Sequence, residues 1–149
     1  MKYNKNEIVA KTTGYVETLQ DHLTEVARIC VFIRLYGTED SDNPIVKDDD
    51  FITMFNDTVD DCKTALDNLN DLNKSPNQTI SIDEIADATA PIGYLKIKTE
   101  KMYCNLNVDE WNKNDRQKGE KILFDFNMIL TAIDDIDAFL YEAYPDAPY

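Results

Sequence analysis

From Glu7 to Tyr36 the apolar residues recur at alternating steps of three and four: Val9, Val16, Leu19, Leu23, Val26, Cys30 and Ile33, with Thr12 in the one polar slot. That spacing returns every side chain to one face of an α-helix, whereas a strand would require alternation with period two. Ile8, Tyr15, Ile29 and Tyr36 widen the stripe on one side, and Gly37 stands where a C-terminal cap belongs. A helix of about 30 residues, about 45 Å long, is therefore dictated before any other element is considered.

Two more seams of the same kind follow. One comprises Ile52, Phe55, Val59, Cys62, Leu66 and Leu69, preceded by Asp48, Asp49 and Asp50 as N-cap and first-turn acids. The other comprises Ile122, Phe126, Ile129, Ile133, Ile136, Leu140 and Ala143, with Leu123, Phe124, Leu130 and Phe139 spreading apolar character round the helix, so that it should be the most buried element. Its start is predicted at Asn107, with Asp109 and Glu110 in the first turn, and Gly119 marks a kink or break within it. Ser81-Ile82-Asp83-Glu84 is a capping box that opens a short helix to about Ala90. Beyond Pro91, Ile92, Leu95, Thr99, Met102 and Leu106 keep the helical step, although Tyr94 to Lys98 also alternates like a strand.

Residues 37–47 and 70–77 carry Gly, Pro, Asp, Asn and Ser without a period and read as polar connections. The expected architecture is an all-α, single-domain antiparallel bundle over residues 1–149, with about four main helices and a short extra one. Leu23, Val26, Phe55, Leu66, Ile129 and Ile133 are predicted to be deeply buried.

No run approaches the ~18 apolar residues of a membrane span, and no apolar stretch follows the first lysines as a secretory signal requires. The expectation is a cytoplasmic protein without a membrane partner. Cys30, Cys62 and Cys104 are odd in number and widely spaced, which points to buried, reduced, unligated thiols and to no metal site.

Catalytic chemistry has little to work with. His22 is the one histidine, beside Asp21 and near Glu17 and Glu25, and is expected to be a surface side chain paired with a local carboxylate. A nucleophilic triad or a di-iron bundle cannot be assembled from it. Carboxylates alone could hold Mg²⁺, as in all-helical nucleotide pyrophosphohydrolases. The pairs with suitable spacing are Asp57 with Asp60 or Asp61, Glu84 with Asp87, and Asp134 with Asp137. They do not reproduce the paired Glu-rich motifs of those enzymes. A non-enzymatic protein without a cofactor is the expectation.

The charge remains to be explained. Twenty Asp and nine Glu face 15 Lys and Arg, giving a formal charge of -14. Asp is a poorer helix former than Glu, so the preference for Asp is not what helicity alone would choose. Asp57, Asp60, Asp61, Asp67 and Asp71 fall off the second seam on the outer face of their helix, and Asp134, Asp135 and Asp137 form a second patch with Glu142 beyond them. Rows of carboxylates can occupy a basic groove as phosphates do, because the partner's Lys and Arg gain charge-assisted bonds and release counterions. In charge, size and helicity the chain resembles small phage-encoded nucleic-acid mimics that block nucleases. The expected partner is a basic protein, a nuclease or other nucleic-acid-binding protein, with no direct binding of nucleic acid by the chain itself. Alternatives are an immunity- or antitoxin-type protein masking a basic toxin, the Mg²⁺-dependent hydrolase, and a helical adaptor docking through Tyr141, Tyr144 and Tyr149. The remaining reading is a solvated face, partly offset by Lys113, Arg116, Lys118 and Lys121.

Overall fold

The first seam folds into one long helix, α1 (Lys5–Tyr36), in a computed structural model that describes residues 2–36, 45 and 49–146. Asn4 starts it: its Oδ1 accepts from Glu7 N at 2.9 Å while Glu7 Oε1 accepts from Asn4 N at 3.4 Å. Every expected seam position from Val9 to Ile33 is buried. Thr12 sits in that row without penalty, because its hydroxyl donates to Ile8 O at 2.8 Å. Gly37 and most of the connection after it lie outside the described residues, as does Asp48; Ile45 is buried in the core.

The chain continues through α2 (Asp49–Lys74), α3 (Ile82–Thr89), a 3-10 turn (Ala90–Ile92), α4 (Leu95–Asn105), a second 3-10 turn (Val108–Glu110) and α5 (Lys113–Ala143). The described residues form an all-α bundle of four main helices with the short α3 added. The capping box of α3 is present with both of its bonds. Tyr94 is a turn residue and 95–98 are helical rather than extended, with Ile92, Leu95, Thr99, Met102 and Leu106 all buried.

α1 packs chiefly on α5 and next on α2. It runs antiparallel to α5, since Tyr3 meets Phe139 at 5.2 Å between ring centres while Lys118 lies 5.1 Å over the Phe32 ring. At the other side Lys5, itself buried, donates to Ser75 O and Asn77 O at 2.8 and 2.7 Å. An ammonium there fits the negative end of α2.

Four expectations are corrected. α5 begins at Lys113, capped by the Asn112 side chain, because Asn107 adopts a left-handed backbone (φ 46°) that turns the chain before a helix can start. Gly119 is neither kink nor break. It lies inside α5 where the Trp111 ring lies so close that a Cβ would fall 2.7 Å from it. The buried row of α2 is Phe51, Phe55, Thr58, Cys62, Ala65 and Leu69, leaving Ile52, Val59 and Leu66 half-buried. Leu66 is uncovered because the facing wall of α1 is small, with Ala10, Thr13 and Gly14 along one groove. Cys104, finally, is exposed, whereas Cys30 and Cys62 are buried as expected.

Two predictions arise from this packing. A Cβ at Gly14 meets nothing within 4 Å. Gly14→Ala should raise stability by about 1 kcal/mol, seen as a higher denaturation midpoint with unchanged slope. A lower midpoint would show that the groove cannot accept a methyl group. The second concerns the thiols, since burial pushes Cys30 and Cys62 up to about 12. At pH 8 such a group is thiolate in about one molecule in ten thousand. Iodoacetamide should therefore add one label to the native protein, at Cys104, and three after denaturation, counted by mass spectrometry. Rapid native labelling of Cys30 or Cys62 would contradict the packing.

Candidate interaction surface

The rotation of α2 decides where its aspartates point. Burying Phe51, Thr58 and Ala65 in place of Ile52, Val59 and Leu66 turns the helix by about 50°, half of the ~100° step between residues. Asp60, Asp67 and Asp71 then stand opposite the core with Asp57 beside them, within an arc of about 80° and along about 21 Å of axis. All four are exposed, and none has an ion-pair partner among the described residues. Asp61 is carried to the flank. It is half-buried there, and Lys98 of α4 reaches it at 3.1 Å.

α4 lies between the two predicted acidic patches and neutralises part of each. Lys96 and Lys98 are about 200° apart on the helix and so leave it on opposite sides. Lys98 goes to Asp61 of α2 and Lys96 to Asp134 of α5 at 3.4 Å. Asp134 and Asp137 are both exposed. Burial, and then the Asp134 charge, push the Asp137 carboxyl above its ordinary value against an opposing pull from Lys96. Asp135 is exposed without a partner among the described residues. Glu142, at the end of α5, is bound by Lys2 and by Tyr3 Oη at 3.0 Å, and these bonds hold its carboxyl below the ordinary value. Among the described residues the α2 row is thus free, while Asp61, Asp134 and Glu142 are drawn into internal pairs.

Asp87 on α3 extends the free row, while the Glu84 carboxylate beside it is engaged in the capping box with Ser81. A groove between α2 and α3 has Asn68, Asp71 and Leu72 on one wall and Glu84, Asp87 and Ala88 on the other. Asn68 Nδ2 donates to Ala88 O at 3.2 Å and fixes the two helices at this point. The sequence signal for Glu84 and Asp87 was present, but it reads as an isolated one-turn pair until the fold sets α3 beside Asp71. From residue 49 to 89 ten carboxylates face only Lys63 and Lys74, so this stretch carries a net eight of the fourteen negative charges. Over α1, by contrast, four acids balance four bases, and α4 has three lysines to one glutamate. Among the described helices the negative charge is concentrated on α2 and α3.

His22 departs from expectation. Its Nδ1 lies 2.9 Å from Oδ1 of Asp125, on α5, and neither Asp21 nor Glu25 is its partner. Asp125 is 1% exposed by side chain, Lys121 Nζ stands 3.4 Å from the same oxygen, and Oδ2 has no hydrogen-bond partner among the described residues. The pair ties the first helix to the last. Among the described residues no three His, Cys, Asp or Glu side chains gather as a metal ion would need, so the carboxylate pairs with Mg²⁺ spacing are not joined by a third ligand. Of the aromatic residues suggested for an adaptor, Tyr141 is exposed and Tyr149 lies outside the described residues. Tyr144 is half-buried, with its hydroxyl donating to Ile80 O at 2.8 Å. No described helix is long and apolar enough to cross a membrane.

No protein-family model matches the chain, nor does any curated protein or solved structure match it significantly.

Proposed function

We propose that this is a non-enzymatic cytoplasmic protein that masks a basic surface of a protein partner, most concretely by standing in for nucleic acid in the groove of a nuclease or other nucleic-acid-binding protein. The observation that supports the reading is the row Asp57, Asp60, Asp67 and Asp71, which has no ion-pair partner among the described residues while the neighbouring Asp61 and Asp134 are paired with lysines of α4. A merely solubilising surface would gain by scattering its charge, since mixed signs avoid a single-sign field. Here the excess is gathered on α2 and α3. Each phosphate-like contact to a partner Lys or Arg would be weak in isolation, about 0.2–1 kcal/mol when exposed, so recognition depends on several acting together.

The test is capture from the native host on immobilised protein, with the bound proteins identified, beside a variant carrying Lys at positions 57, 60, 67 and 71. The wild type should retain a basic protein that elutes as salt rises above the physiological range, where the screening length is about 8 Å. The variant should lose it by at least a factor of ten while its melting temperature moves by only a few degrees, because exposed substitutions change stability by about 0.5 kcal/mol or less each. Nucleic acid should compete for the captured partner. Equal capture by the variant, or binding indifferent to salt, would overturn the proposal, and a partner that nucleic acid does not displace would favour the immunity-type reading.

A further inference from the structure

No further inference is drawn: the strongest candidate, the outward apolar face of the last two turns of α1 formed by Val31, Phe32, Leu35 and Tyr36, carries nothing because nothing in the structure shows what covers it.

Discussion

Replacing Trp111 with alanine should cost about 3–5 kcal/mol of folding stability, the range for a large aromatic removed from a core. The ring is 2% exposed and is held from three directions. Its Nε1–H donates to Leu106 O at 2.6 Å, and the turn through Asn107 and Val108 wraps its edge. Gly119 of α5 supplies the flat wall that lets it lie there, since a Cβ at 119 would stand 2.7 Å from the ring and 2.9 Å from Val108 Cγ1. In a chain of this length the loss corresponds to a fall in melting temperature of about 6–20 °C, followed by far-ultraviolet circular dichroism. Two further variants separate volume from hydrogen bonding and from fit. Trp111→Phe keeps much of the volume but leaves the Leu106 carbonyl unpaired, at about 1–3 kcal/mol. Gly119→Ala sets a helix-propensity gain of about 1 kcal/mol against overpacking of typically about 1–3 kcal/mol, and a net loss is expected because the ring has nowhere to retreat. A neutral or stabilising Gly119→Ala would mean that the ring does not wedge α5 against the turn.

His22→Ala should cost about 2–3 kcal/mol, and Asp125→Ala a comparable amount. Breaking a buried pair leaves the surviving partner uncompensated, at about 3–5 kcal/mol when burial is complete. The lower figure applies because His22 is 22% exposed by side chain and Lys121 remains near the carboxylate. Replacing both, His22→Phe with Asp125→Leu, should come close to wild-type stability, since an apolar pair of similar shape asks for no desolvated charge. The coupling energy from the double-mutant cycle measures the interaction itself. A surface histidine paired with Asp21 or Glu25 would give less than about 1 kcal/mol for His22→Ala and no coupling to position 125. That result would show that the two helices are not joined there.

These two sites also mark where the sequence stops being legible. In α1 and α5 every residue of the expected seam is buried, although α5 also buries Asp115, Gly119 and Asp125, which no apolar pattern marks. In α2 the pattern offers two choices at three points, Phe51 or Ile52, Thr58 or Val59, Ala65 or Leu66, and taken together Ile52, Val59 and Leu66 make the more apolar row. The fold takes the other of each pair. Thr58 tolerates burial because its hydroxyl donates to Phe55 O at 2.6 Å, and Ala65 is fully buried. That half-step decides which aspartates are free and which meets Lys98, so the candidate surface was visible as a set of residues but not as an arrangement. Asn107 reads as a helix start, whereas its left-handed backbone makes it a turn residue, since Asn serves in both roles and only the backbone angle separates them. The His22–Asp125 contact joins residues 103 positions apart, and local spacing carries no signal for it.

The pairing of α1 with α5 sets an order on synthesis. At about 5–20 residues per second, the roughly one hundred residues between the end of α1 and the end of α5 take some 5 to 20 s to emerge. During that interval Val16, Leu19, Leu23 and Val26 lack the helix that covers most of them, and α2 can shelter only part of the row. A nascent chain with a long uncovered apolar helix is a substrate for chaperones and a hazard for aggregation. Contacts between first and last helices also raise the mean sequence separation of the native state, which slows folding relative to bundles closed by neighbours. Fusing the ends through a flexible linker and opening the chain in the stretch between α2 and α3 would bring α1 and α5 into adjacency. That permutant should fold faster than the natural order but be less stable, since a break there loosens the Ser75 and Asn77 carbonyls that accept from Lys5.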